Sequence, residues 1–415
     1  MNDQERWYAG IDWASTHHHV RLTDGQGRDI GEKIFKHGGA GLAAMAAWLM
    51  TASGAAEACQ VHVAIEVPHG PIVETLIERD FDLYAINPKQ MDRFRDRFTV
   101  AGAKDDSRDA LVMASGLRTD PQCFRRLAVA DPTVIQLREW SRIADSLTVE
   151  RQALTNRMRE LLWRYFPAFI DLDEDLGTAW LLDLWQAVPT PAKATRGRRQ
   201  LIAKILGDHR IRRLDVDQVL AILRQPPLAV APGTTEAARA HMATLVVRVR
   251  LLNRQIKDAH RQLDILTAEL PASEETEPGQ SMQRDAEILA SLPGLGRINL
   301  ATLLAESWEA LQRRDYSALR SLTGVAPVTR SSGKSHLVVR RLACHPRLAN
   351  AMYHWARVAT QRDQISRAKY KALRARGHSH GRALRSVGDR LLNVACAMLK
   401  NRTLFNPAQR PEKTA

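Results

Sequence analysis

Tyr8-Ala9-Gly10-Ile11-Asp12 is a short apolar run that ends on a carboxylate, and Val61-His62-Val63-Ala64-Ile65-Glu66 is a second one. Their length and β-forming composition read as strands of a covered sheet. A charged residue at the end of such a strand is costly if it is buried without a partner. Two further acids, Asp106 and Asp109, lie three apart at the start of a helical stretch and therefore share one helix face. Asp105 competes with Asp106, since an i, i+4 pair with Asp109 is also sterically allowed. Converging carboxylates repel unless something cationic sits among them. The usual solution is a pair of hard divalent ions, Mg²⁺ or Mn²⁺, about 4 Å apart, which clamp a scissile phosphate.

The elements around these acids set the fold class. Strands are predicted at Tyr8–Asp12, His17–Thr23 and Asp29–Lys36, the last two joined by the turn Asp24-Gly25-Gln26-Gly27. An Ala-rich helix over Leu42–Met50 follows, then a strand at Val61–Val67, a helix at Pro71–Arg79 and a strand at Asp82–Ile86. Helical patterns return from Lys89 and over Asp105–Leu117. Three strands followed by alternating helices and strands is the order of an RNase H-like α/β fold. Three consecutive histidines, His17 to His19, suggest a transition-metal site, but strand alternation sends neighbours to opposite faces, so they read as an ordinary strand.

From Pro132 to Phe166 the apolar residues recur every three or four positions, with one gap of seven at Arg151. A second such stripe runs from about Glu236 to Leu270. They read as coiled-coil helices that could pair within one chain as an antiparallel hairpin or between chains, and a coiled-coil arm that helps oligomerisation is favoured over a buried pair. The helical insertion at about 167–235 between them carries no recognisable chemistry. The acidic stretch at 271–284 reads as a linker. Beyond it, Leu292-Pro293-Gly294-Leu295-Gly296-Arg297 joins two helices in a helix-hairpin-helix pattern, which offers backbone N–H groups to a phosphate. Val328 to Lys334 reads as a loop that places hydroxyls between Arg330 and Lys334, followed by Arg340 and Arg341. The expected organisation is 1–131 as the α/β domain, 132–270 as long helices with the insertion, 271–284 as the linker, 285–405 as a mainly helical domain with the serine loop, and 406–415 as a disordered tail.

Charge separates the C-terminal third from the rest. The chain carries a net +14. Residues 281–415 hold 24 Lys or Arg against 8 Asp or Glu, whereas residues 1–280 hold 36 against 38. A basic excess gathered in one region is the footprint of a phosphate-backbone binder. Four scattered cysteines, no apolar run of membrane-spanning length and no signal-peptide pattern point to a cytoplasmic protein. No His/Asp partner for Ser332 is evident in the sequence, which argues against a hydrolase triad.

Taken together, the motifs resemble the transposases of insertion-sequence family 110, including its bridge-RNA-guided recombinases, over roughly residues 6–165 and 285–375. The carrying residues are Gly10-Ile11-Asp12, Ala64-Ile65-Glu66-Val67 and Lys104-Asp105-Asp106-Ser107-Arg108-Asp109-Ala110 at one end. At the other they are Leu292-Pro293-Gly294-Leu295-Gly296, Gly324-Val325-Ala326-Pro327 and Ser332-Gly333-Lys334. Leu342-Ala343-Cys344-His345 departs from the family's usual Lys-Arg-Gly-Asn run. The resemblance assigns the helix pair to Asp106 and Asp109. It implies a RuvC-like DEDD domain joined to a transposase domain with a nucleophilic serine, matched by Ser332 with Ser331 as runner-up.

The resemblance further implies a covalent phosphoserine link to DNA, a composite site drawn from the subunits of a tetramer built from dimers, and a structured non-coding guide RNA that pairs with donor and target DNA. The expected site is therefore Asp12, Glu66, Asp106, Asp109 and Ser332. Gly294, Gly296, Arg297, Arg330, Lys334, Arg340 and Arg341 are expected to contact nucleic acid, and a bacterial, nucleoid-associated location follows. The rival readings are a RuvC-like structure-selective nuclease such as a junction resolvase, and a non-catalytic DNA-binding protein.

Overall fold

The computed structural model describes residues 6–66, 68–98, 105–127, 131–270, 284–333 and 335–407. The chain folds as two compact units, Met1–Ala130 and Asp131–Ala415. Val67, Lys104, Lys334, the linker at 271–283 and the tail from 408 lie outside the described residues.

The first unit is mixed α/β. Its elements are β1 (Trp7–Trp13), β2 (His17–Thr23), β3 (Asp29–Lys36), α1 (Gly39–Ser53), β4 (Val61–Ile65), α2 (Pro71–Ile77), β5 (Asp82–Ala85), α3 (Pro88–Arg95), α4 (Asp106–Thr119) and β6 (Arg125–Arg126). The sheet order is β3-β2-β1-β4-β5-β6. β1 runs antiparallel to β2 and parallel to β4, with Ile11 opposite Ile65. The two-residue strand β6 was not expected from the sequence. Alternation sorts the side chains of β1 and β4. Ala9, Ile11, Val61, Val63 and Ile65 join the core beneath α1 and α2. Tyr8 and Ala64 join the opposite core, with Val112, Met113 and Leu117 of α4.

On that second face α4 lies almost on the strand backbone. A Cβ placed on Gly10 would stand 1.9 Å from the Ala110 carbonyl oxygen and 2.9 Å from the Ala114 nitrogen. Only glycine allows this approach. Arg21 of β2 also donates to Ser107 Oγ at 3.4 Å, tying the first turn of α4 to the sheet. His18 is buried, with Nε2 3.0 Å from His37 Nδ1, and burial followed by the neighbouring His37 holds its pKa down. The histidine run is thus part of the folded scaffold.

The second unit is mainly helical. α5 (Pro132–Tyr165) leads through α6 (Ala179–Ala187), α7 (Pro191–Thr195), α8 (Arg199–Asp208) and α9 (Val216–Leu223) to α10 (Thr234–Glu269). Then come α11 (Asp285–Ala290), α12 (Arg297–Gln312), α13 (Tyr316–Leu322), the hairpin β7 (Val328–Ser332) and β8 (Ser335–Val339), α14 (Pro346–Arg362), α15 (Gln364–Ala375) and α16 (His380–Asn401). α5 and α10 pair antiparallel within the chain. Leu154, Met158 and Leu161 share one core with Met242, Leu245 and Val249 and with Trp180 and Trp185 of the insertion. Val134, Leu137 and Ala144 share another with Ala259, Leu263 and Leu266 and with α11 to α16.

The pair is therefore a scaffold buried at both ends, and the helices on either side of the acidic linker share one core. The seven-residue gap in the α5 stripe is a polar layer. Arg151 donates to Asn253 Oδ1 at 2.7 Å and to Asp175 at 2.7 and 2.9 Å, and Asn253 donates to the Gly177 carbonyl at 2.8 Å. A polar layer of this kind holds two long helices in one register.

Two glycine substitutions test the packing of the first unit. Gly10→Ala sets a methyl group against backbone that cannot move aside, and is expected to cost about 3 kcal/mol or more. Gly39→Ala, with nothing within 4 Å and no positive φ, is expected to be neutral or stabilising by about 0.5 kcal/mol. Thermal unfolding of the two variants beside the parent distinguishes these outcomes.

Candidate active site

Alternation along β1 places Asp12 on the α4 face with Tyr8 and Gly10, and Glu66 follows the same rule one residue beyond β4. The two carboxylates thus sit at neighbouring ends of adjacent parallel strands. Each is partly exposed. α4 begins at Asp106, with Asp105 as its N-cap residue, and the Asp109 N–H donates to the Asp105 carbonyl at 2.9 Å. Asp105 and Asp106 are exposed and Asp109 is buried. Because Gly10 draws α4 onto β1, the first turn of this helix is held over the strands that carry the other two acids.

Asp109 already has a cation. Arg95, at the end of α3, donates Nε to Oδ1 at 2.7 Å and Nη2 to Oδ2 at 2.9 Å, a two-pronged pair, and also bonds Asp92 at 2.7 Å. The Asp109 carboxylate holds the Arg95 guanidinium above its usual pKa. Among the described residues, no three acidic, histidine or cysteine side chains stand together closely enough to hold a metal ion as they are placed. Arg95 was not singled out in the sequence. Its spacing of fourteen from Asp109 crosses a connection between helices, and only the fold brings the two together.

Ser332 lies in the second unit, at the end of β7. The sequence reading made Val328–Lys334 a loop; the structure corrects this to the first strand and turn of a hairpin, with Ser332 paired to Ser335 and Val328 to Val339. The signal was present in the β-branched pairs Val328-Thr329 and Val338-Val339 on either side of a glycine, and Gly333 takes φ +53° in the turn. Ser332 and Arg330 are exposed and, by alternation, share one face of the ribbon. Ser331 is on the other face, where its Oγ lies 3.5 Å from His336 Nδ1. His336 is thus a neighbour of the runner-up serine that the sequence reading did not identify. Lys334 falls outside the described residues.

The connection after the hairpin is anchored by a buried carboxylate. Glu306 of α12, whose side chain is 4% exposed, accepts from Arg142 at 3.2 Å and from Arg347 at 2.5 Å, with His345 Nε2 at 3.6 Å. Arg347 also donates to Ser141 Oγ at 2.7 Å, and the His345 N–H to the Leu322 carbonyl at 2.8 Å. Burial alone would raise the Glu306 pKa; Arg142, His345 and Arg347 outweigh it and hold the carboxyl below its usual range. The departure from the family pattern at 342–345 therefore includes a residue of this anchor.

The remaining expected nucleic-acid residues divide. Gly294 takes φ +79° and packs on α14, where a Cβ would stand 2.6 Å from the Ala359 nitrogen, so its requirement is internal. Gly296 is exposed at the N-cap of α12 with open space beside it. Arg297 is exposed but pairs with Asp264 at 2.8 Å. Arg340 is exposed and Arg341 is half-buried.

Two measurements test these arrangements. Arg95→Ala leaves the Asp109 carboxylate buried and unpaired, and is expected to cost about 3 kcal/mol. Adding Asp109→Ala should recover part of that loss in a double-mutant cycle of denaturant midpoints. For Glu306 the lowered folded pKa gives stability that is present above the unfolded carboxylate pKa and is lost as pH falls through the folded one. The Tm gap between the parent and Glu306→Gln should accordingly be widest near neutral pH and close in acid.

The same regions carry the likeness to known proteins. A family described as "Transposase", of the DEDD type, matches residues 9–167, and one described as "Transposase IS116/IS110/IS902 family" matches residues 286–371. A putative transposase of Sinorhizobium fredii, y4uE, is 66% identical over 241 residues, 58% of this chain and 65% of that protein, so the match spans just under two thirds of its length. The mini-circle putative transposase for IS117 of Streptomyces coelicolor is 32% identical over 409 residues, 96% of this chain and 95% of that protein. An IS110 insertion-element protein of the same organism is 29% identical over 73% of this chain and 72% of that protein. With both ends matched and near-complete coverage of the IS117 relative, the chain belongs to the IS110 family of insertion-sequence transposases, enzymes that act on DNA.

Proposed function

We propose that the protein cuts and rejoins DNA through a covalent bond to Ser332, helped by divalent ions at the RuvC-like carboxylates and guided by a structured RNA. The observation that carries this reading is the placement of Ser332. It is an exposed hydroxyl at the tip of a two-stranded ribbon, with Arg330 on the same face. The region around it holds the whole basic excess of the chain. The Ser332 oxygen forms a bond to phosphorus as one phosphodiester P–O bond breaks, and the serine proton passes to the departing strand end, which leaves as a hydroxyl. Attack by a second strand's hydroxyl reverses these events, restoring serine and joining the new strand. Arg330 balances charge that develops on the phosphoryl oxygens.

The strand order of the first unit and the acids on its α4 face support an RNase H-like, RuvC-like reading. An all-carboxylate donor set suits a hard ion, Mg²⁺ or Mn²⁺. Asp12, Glu66 and Asp106 would hold it, and Asp109 would join once Arg95 releases its oxygens. A bound ion would supply charge neutralisation at the phosphate. In this reading the acids and the serine form one composite site, contributed by different copies in a tetramer built from dimers, and the guide RNA selects the DNA. No described helix is long and apolar enough to cross a membrane.

A suicide DNA substrate with denaturing electrophoresis tests the reading. The parent should yield a protein–DNA adduct that Ser332→Ala abolishes and Ser331→Ala retains. Asp12→Asn should reduce adduct and recombinant product together. Undiminished hydrolytic cleavage by Ser332→Ala would instead establish a metal-dependent nuclease. DNA rearrangement indifferent to Asp12→Asn would favour a non-catalytic DNA-binding role.

A further inference from the structure

At the foot of the serine hairpin lies a cavity of about 190 Å³. Its lining includes Arg340, just past the end of β8, Cys344, Met352 and Tyr353 of α14, and Leu384 and Arg385 of α16. The floor is apolar. Val325 and Met352 press against Gly388 so closely that a Cβ there would meet Met352 Cε at 3.1 Å. Tyr353 is 40% exposed. Its hydroxyl lies 3.4 Å from His380 Nε2, and Tyr370 holds the other ring nitrogen at 2.8 Å.

Among the described residues, neither Arg340 nor Arg385 forms an ion pair, whereas the nearby acids on the same elements are engaged. Asp389 is held by Arg320 at 2.6 Å, and Asp363 by Ser366 at 2.5 Å with Arg390 at 3.9 Å. Burial, then the charges of Arg340 and Arg382, hold the Arg385 guanidinium below its usual pKa. Like charges gathered over a cavity without a counter-ion raise the affinity for an anion. An apolar floor, an exposed aromatic ring and two guanidinium groups match the parts of a nucleotide. The volume is well below that of a drug-sized pocket, so one residue of a chain fits better than a free cofactor.

We propose that this cavity seats one unpaired nucleotide of the DNA strand on which Ser332 acts, with its phosphate on Arg340 and Arg385 and its base or sugar against Tyr353, Met352 and Leu384. Register places Ser332 four residues from the foot of the ribbon, about 14 Å along it. A strand engaged at the tip reaches the cavity within a few nucleotides. The seat would fix that strand while its neighbouring phosphate is exchanged. The proposal rests on the reading of the second unit as the DNA-binding one.

Fluorescence anisotropy of the full chain with a labelled single-stranded oligodeoxynucleotide, across a salt series, tests it. For the Arg340→Gln/Arg385→Gln variant, the slope of log affinity against log salt should fall by about 0.7, the value for one lost phosphate contact on a single strand. The Lys pair, Arg340→Lys/Arg385→Lys, should keep the slope. Tyr353→Ala should weaken binding about ten-fold at unchanged slope, as lost stacking does. Arg254→Gln/Lys257→Gln removes equal charge from exposed positions of α10 and should leave the slope unaltered. If the Gln pair matches the parent while the parent binds with a salt-dependent slope, the seat is overturned and the DNA-binding reading stands. If the parent shows no salt-dependent binding, both fall. Loss seen only with an oligoribonucleotide of the same sequence overturns the assignment to DNA.

Discussion

The candidate chemistry of the first unit depends on a missing side chain. Gly10 lets the backbone of α4 rest on β1, with the Ala110 carbonyl where any Cβ would be. That approach sets the height of the helix above the sheet and thereby the position of Asp106 and Asp109 relative to Asp12 and Glu66. A methyl group at residue 10 would lift the helix, and the acids of the helix and of the strands would part. A steric constraint inside the unit thus controls an electrostatic arrangement at its edge.

The second unit is built on a different constraint. Two long helices pair antiparallel, and each end of the pair is closed by its own core, so the pair is a strut between two packed regions. The layer of Arg151, Asn253 and Asp175 interrupts the apolar seam midway and discourages sliding of one helix past the other. At one end of the strut, Glu306 gathers Arg142, Arg347 and His345 and so fixes the segment through which the serine ribbon returns to the helices. The ribbon itself carries exposed polar residues on a rigid two-stranded support. That combination fixes the Ser332 hydroxyl on a hairpin while leaving it open to solvent.

Chemically the two units are complementary. One carries carboxylates in a region of balanced charge, the other a hydroxyl and the entire basic excess. In the proposed reaction the carboxylates would bring divalent cations to a phosphodiester and the serine of the other unit would attack its phosphorus. Arg95 adds a control on the acidic side, since its two-pronged hold on Asp109 satisfies a buried carboxylate that would otherwise be unpaired. The same pair occupies both oxygens of that carboxylate.

Local chemistry was enough to read much of this molecule. The strands of the first unit, the long helices and their proline ends follow from periodicity and turn residues, because those signals act between near neighbours. The four acids were visible as strand ends and a helix face for the same reason. Partnership was not. The Arg95–Asp109 pair, the closure of the helix pair within one chain, the Glu306 anchor and the Arg340–Arg385 cavity join residues far apart in sequence, and no spacing rule encodes them. The ribbon at Val328–Val339 was missed because its serines and arginine dominate the local pattern, and the antiparallel partner that makes it a strand lies across the turn. Sequence alone determined which residues could carry chemistry. Tertiary structure decided which of them meet, because burial and backbone approach are properties of surfaces brought together and not of neighbours along the chain.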